Sequence, residues 1–189
     1  MRTLTIQMIV RCAVAAAVAM AALLRMAPAM GTGIDVRNAA VVASDDGYVL
    51  EASFEVRLTT VVDDALHKGV PLYFVLEHEL IRPRWYWANE KVAVVQQERR
   101  LSYNTLTRQY RVGAGALYQN FTSLGDALDA MSRVRRRLDL EPGALQKGTT
   151  YAAVLRLRLD TALLPKPFQL HTGRTWDITS DWFRWTVTP

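Results

Sequence analysis

The chain has few residues with which to do chemistry, and the most metal-like of them is the triplet Glu77-His78-Glu79. Carboxylate and imidazole together make a common donor set, but ligands must converge on one point. On an extended strand the two glutamates share one face and His78 points to the other, so at most two of the three converge. The other histidines, His67 and His171, are too scattered to complete a paired-ligand motif. His171, Asp177, Ser180 and Asp181 hold the residue types of a hydrolase triad. No nucleophile elbow of the GxSxG kind accompanies them, and short polar residues are ordinary in a loop. Gly113-Ala114-Gly115 lacks the Lys-Ser/Thr that follows a phosphate-binding loop. These readings predict a non-enzymatic protein with no catalytic residues, no metal and no cofactor.

Aromatic residues carry more information. Arg82-Pro83-Arg84-Trp85-Tyr86-Trp87 and Asp181-Trp182-Phe183-Arg184-Trp185 hold four of the five tryptophans. On strands Trp85 and Trp87 share a face, and Trp182 lies opposite Phe183 and Trp185. Each cluster then offers rings to two faces, one of which fills a core. Tryptophan with arginine on the other face is the composition of a protein-interaction hot spot or of a sugar-stacking platform. Arg82, Arg84, Trp85, Trp87, Trp182, Arg184 and Trp185 are therefore the candidate interaction surface. Arg133, Arg135, Arg136 and Arg137 form a second basic cluster. Read as a helix C-terminus, they complement the helix dipole, or meet anionic lipid or an acidic partner.

Strands must position most of these groups. Period-two alternation with β-branched and aromatic enrichment predicts strands over 34–43, 48–58, 70–81, 92–103, 108–112, 151–159 and 183–187. Ser44-Asp45-Asp46-Gly47 and Asn104-Thr105-Leu106-Thr107 predict hairpins. Leu50, Ala52, Phe54 and Val56 alternate with Glu51, Ser53 and Glu55, and Leu72, Phe74, Leu76 and Leu80 share a face. Two helices interrupt the strands. Thr60 with Asp63 suggests a capping box for the first, which Gly69-Val70-Pro71 closes. Ser123 with Asp126 caps the second, whose stripe runs Leu124, Ala127, Leu128, Met131, Val134, Leu138. The expectation is a mainly β fold: an antiparallel β-sandwich, immunoglobulin-like in general architecture, with two inserted helices, over a single domain 30–189. Half of the 189 residues are apolar and 22% are charged, which excludes a disordered chain.

The first residues differ from the rest. Arg2 and Arg11 precede an unbroken apolar run over 12–24, and Ala27-Pro28-Ala29 follows with small residues spaced as in a cleavage site. This layout predicts a secretory signal peptide over 1–29, with an uncleaved N-terminal anchor helix as the alternative and Met8 as a second possible start. Thirteen apolar residues are short of the roughly 20 that span a bilayer. Without 1–29 the net charge falls from +5 to +2 and the single cysteine, Cys12, is lost. Thiol catalysis and disulfides are then excluded, and the basic balance is no argument for nucleic acid.

Gly69-Val70-Pro71-Leu72-Tyr73-Phe74, Arg82-Pro83-Arg84-Trp85-Tyr86-Trp87, Leu101-Ser102-Tyr103-Asn104 with Arg108-Gln109-Tyr110, Leu163-Leu164-Pro165-Lys166-Pro167-Phe168 and Ser180-Asp181-Trp182-Phe183-Arg184-Trp185 together resemble a family of exported proteins of Gram-negative, mainly β-proteobacterial, origin. The resemblance covers 34–189 and carries no catalytic or binding residues over, since the family is a domain of unknown function. It implies periplasmic location and a shared pathway with a membrane sensor kinase. The expected partner is an envelope or inner-membrane protein, such as a sensor kinase, met through the aromatic and arginine surface. Contact with the membrane is expected only through the N-terminal segment. A small-ligand or glycan-binding module on an aromatic platform is the alternative, and an envelope hydrolase a third.

Overall fold

The computed structural model describes residues 33–45, 47–84, 89–140, 144–169 and 175–189. The expected leader lies outside them. Among the described residues nine strands form two antiparallel sheets. β1 (Ile34–Ser44), β2 (Gly47–Val56) and β7 (Arg133–Arg137) make a three-stranded sheet in the order β1-β2-β7. β3 (Leu72–Arg82), β4 (Glu90–Asn104), β5 (Gln109–Ala114), β6 (Leu117–Phe121), β8 (Tyr151–Leu159) and β9 (Phe183–Val187) make a six-stranded one in the order β6-β5-β4-β3-β8-β9. The helices are α1 (Thr60–His67), α2 (Leu124–Ser132) and the short α3 (Lys166–Gln169), which follows a 3₁₀ turn at Thr161–Leu163.

The alternation in the sequence sets the faces. Leu50, Ala52, Phe54 and Val56 of β2 are buried, as are Leu72, Phe74, Leu76 and Leu80 of β3 and Tyr151, Ala153, Leu155, Leu157 and Leu159 of β8. Most of these side chains meet in one core, while Leu80, Tyr151 and Ala153 pack with Ala93 and Val187 in a smaller one, and each fully buried leucine or phenylalanine contributes about 1.5–3 kcal/mol. Three strands cannot cover six. β1 contacts β8 and β9, while α2 contacts β4, β5 and β6 and so covers the other half of the large sheet. Both expected hairpins form: Ser44 pairs with Gly47, whose φ is +119°, and Asn104 pairs with Gln109. Asn104 Oδ1 accepts from the Leu106 and Thr107 amides at 3.0 and 3.2 Å, which fixes that turn.

Three expectations are corrected. The cap of α1 is Thr59, whose hydroxyl accepts from the Val62 amide at 3.4 Å, one residue before the Thr60 expected for that role. β6 was not expected, because Leu117-Tyr118-Gln119-Asn120-Phe121 has no clean alternation; Gly115, at φ +61°, turns the chain from β5 into it. The largest change concerns the four arginines. The helix capped by Ser123, whose hydroxyl accepts from the Asp126 amide at 3.1 Å, ends at Ser132. Arg133–Arg137 is a strand on the edge of β2, with Val134 opposite Ala52 and Arg136 opposite Leu50. Val134 and Leu138 satisfy a helical stripe and a strand face equally, and the free edge of β2 decides between them.

What ends α2 is Arg99, which alternation turns inward from β4. Its guanidinium donates to the carbonyls of Ala130 (3.3 Å), Met131 (2.6 Å) and Arg133 (2.8 Å). These are orphan carbonyls of a helix end, satisfied by a cation instead of a glycine turn. Arg99→Met leaves them without a donor. The expected loss is about 2 kcal/mol, in the range of hydrogen bonds to charged groups, seen as a lower urea midpoint with an unchanged slope.

Candidate functional site

Glu77, Glu79, His78 and Ser180, singled out for chemistry, each make contacts within the fold. Glu77 accepts from Arg156 Nε at 2.6 Å and Arg158 Nε at 3.0 Å on the outer face of the large sheet. Partial burial raises its pKa, but the two guanidiniums outweigh that and hold it below the ordinary carboxylate range. Glu79 pairs with Lys91 at 2.7 Å. His78 points the other way into the core, so the three do not converge, and among the described residues no three His, Cys, Asp or Glu groups are placed to hold a metal. Ser180 is buried and its hydroxyl accepts from the Leu157 amide at 3.0 Å; His171 lies outside the described residues.

Of the seven residues of the candidate surface, Trp85 and Trp87 lie outside the described residues. Arg82 is a pin: it donates to Glu90 at 3.1 Å, to the Ala144 carbonyl at 2.8 Å and to the Tyr151 hydroxyl at 3.1 Å. Arg84 joins it on Glu90 at 2.5 Å. Alternation in β9 places Trp185 opposite Ala153, on the inner face, where its ring stacks on His78 at 5.6 Å between centroids. Trp182 lies under the Arg156 guanidinium, 4.4 Å from its ring centre, and Arg184 is exposed. The structure thus divides the second cluster between core and surface.

A different surface is more open. Four residues from four strands form one cross-strand row on the outer face: Tyr73 opposite Arg100, Arg100 opposite Gly113, and Gly113 opposite Tyr118. Gly113 has no side chain where its neighbours have large ones, and the gap is the floor of a cleft of about 330 Å³. Arg100 lies over the Tyr73 ring at 5.8 Å and Arg111 over the Tyr118 ring at 4.5 Å. Glu98 and Ser102 stand at the rim. On the inner side of the same strands, Leu117 and Tyr118 also line a cleft of about 220 Å³ that reaches Arg99, Ala130 and Arg133. Strand β6 therefore has a depression on each face.

The outer edge of β6 is also free. Among the described residues the two sheets end in four edge strands, β1, β7, β6 and β9. β1 is irregular between Val36 and Asn38 and carries Asp35 and Arg37; β7 carries four arginines; β9 has Arg184 at its second position. Bulges and charges of this kind block pairing with a further strand. β6 has neither charge nor proline, and Leu117 and Tyr118 are 80% and 61% exposed. Sequence reasoning missed this site because the row depends on register between residues up to 45 apart. The one local signal was Gly113-Ala114-Gly115, read only for its lack of a phosphate-loop lysine.

A model of the family described as a domain of unknown function, DUF4390, matches residues 31–186. No curated protein and no solved structure matches the chain. Among the described residues no helix is long and apolar enough to cross a membrane.

The buried His78 gives this face of the core a pH dependence. Its Nδ1 donates to the Val154 carbonyl at 2.9 Å and its Nε2 is buried without a partner. Burial pushes its pKa below the ordinary value of 6.5, against the opposing pull of that carbonyl and of Glu79. A depressed histidine pKa means that the unfolded chain binds the proton first, so stability is lost as pH falls below 6.5. Between pH 7 and 5 the thermal midpoint of the native protein should fall more steeply than that of His78→Asn, whose amide nitrogen stands near the position of Nδ1 and does not titrate; equal slopes would contradict this.

Proposed function

The chain belongs to the DUF4390 family, and we propose that it is a non-enzymatic module of the bacterial cell envelope that binds a partner protein along the free edge of β6. The observation that carries this reading is the contrast among the four sheet edges: three carry charge, and the fourth is uncharged, exposed and flanked by a cleft on each face. An edge of that kind accepts an extended segment as an added strand, with main-chain bonds giving affinity and the flanking clefts giving selectivity. The architecture we infer is a β-sandwich, immunoglobulin-like in general layout, in which α2 covers what the smaller sheet leaves open. The signal-like N-terminal sequence supports export to the periplasm, with the N-terminal segment as an inner-membrane anchor if it is not cleaved. The partner class that fits is an envelope or inner-membrane protein, with a membrane sensor kinase as one candidate.

A second reading, a small-ligand or glycan site, is favoured by the Tyr73 and Tyr118 rings that wall the outer cleft. The two differ in their dependence on the edge. Alternate amides of an antiparallel strand point toward and away from its neighbour, so of Gln119→Pro and Asn120→Pro one breaks a bond to β5 and the other removes only an outward donor. A photo-crosslinker at Tyr118 in cells should give a discrete protein adduct. The same probe at Leu106, which is 93% exposed on the β4–β5 turn, should not. The proline variant that keeps the native thermal midpoint should abolish the Tyr118 adduct. Retention of the adduct in that variant would contradict the edge reading.

A further inference from the structure

Ion pairing on this surface is uneven. Glu55 has Arg37 and Arg57, Glu77 has Arg156 and Arg158, and Glu90 has Arg82 and Arg84. In each case two arginines share one carboxylate, and Asp35 and Asp160 add a second acid for Arg57 and Arg158. Arg100 and Arg111 have no such partner: among the described residues neither has a carboxylate within ion-pair distance, a lack that Arg99, Arg137 and Arg184 share on other parts of the strands, and only Arg100 and Arg111 stand together in one cleft. Glu98, at the rim of the cleft, is the one acid lining it, so the cleft holds one positive charge in excess.

Arg111 is also held in place. Its Nε donates to Asn120 Oδ1 at 3.1 Å and its guanidinium rests on the Tyr118 ring. Both Asn120 and Tyr118 belong to β6, so the side chain reaches from β5 across the edge strand toward the open side. Only Nε is engaged, which leaves the two terminal nitrogens as a preset fork. That geometry suits one planar anion, a carboxylate taken by two parallel bonds. Arg100 lies one strand further in, over the Gly113 floor.

We propose that the segment added to β6 is acidic, with a glutamate or aspartate on its outer face whose carboxylate binds the terminal nitrogens of Arg111, with Arg100 supplying further positive charge behind it. The proposal rests on the edge reading above and names its partner's chemistry: an extended acidic peptide segment. A neutral strand would leave the cleft's excess positive charge uncompensated, whereas one acid neutralises it at a cleft already shaped for it. Arg133 lies on the opposite face of the strand and does not share the carboxylate, since it lines the inner cleft.

The test is selection of ten-residue random peptides displayed on phage against the folded protein carrying residues 30–189 or the full chain in detergent. Peptides selected on the native protein should be enriched in Asp and Glu at alternate positions. Their affinity should fall about tenfold or more in Arg111→Gln, as expected for a charge-assisted hydrogen bond, with a smaller loss in Arg100→Gln. Replacing the peptide's acid by its amide should cost the same factor on the native protein and little more on Arg111→Gln, because the two changes remove one interaction. Both variants lie on an exposed face, and an unchanged thermal midpoint checks that they fold. Peptides that require the free edge but show no acidic enrichment would overturn the proposal and leave the edge reading standing. Peptides that are selected but bind the stable proline variant unchanged, or no selected peptides at all, would overturn both.

Discussion

Arg99 is the interaction on which the arrangement depends. By collecting the carbonyls of Ala130, Met131 and Arg133, it stops α2 at the point where the chain must turn into β7. The helix then covers β4–β6, and β7 completes the smaller sheet beside β2. The cost is a partly buried cation: desolvation lowers the Arg99 pKa, and its Nε is left without a partner. Charge-assisted bonds from one terminal nitrogen, whose two hydrogens are shared among the three carbonyls, offset that cost. The adjacent residue, Arg100, faces the opposite side of β4, where it lies over the Tyr73 ring and has no carboxylate partner among the described residues. In one dipeptide the strand period separates an arginine bound to a helix end from one that lines the outer cleft.

Width mismatch has a second consequence. A six-stranded sheet covered by three strands and a helix ends in β6, beyond α2's reach for pairing, and only the short length of β6 and the chain's own turn protect its edge. The other three edges use charge or irregularity. Natural sheets usually guard every such edge, so an unguarded one beside uncompensated arginines is where the molecule departs from the rule for a self-contained fold.

Much of this was legible in the sequence, for reasons that are local. The buried faces of β2, β3 and β8 follow from alternation within ten residues, and the Ser123–Asp126 cap and the Asn104 turn follow from four. The opposed placement of Trp182 and Trp185 follows from alternation too. What was not legible required distant partners. Arg133–Arg137 fits helix and strand alike until β2 offers an edge. Arg82 looks like a surface cation until Tyr151 and Ala144 are brought beside it. The cleft needs Tyr73, Arg100, Gly113 and Tyr118 to fall in one row, which is fixed by three successive strand registers.

The central claim is that β6 is an edge made to be paired. Amide hydrogen exchange of the protein with and without a bound extended segment tests it most directly. The account predicts that alternate amides of Leu117–Phe121, fast in the free protein, become protected on binding, while those of β1 and β7 are unchanged. Protection that appears instead around Trp182 and Arg184, with β6 still exchanging freely, would contradict it.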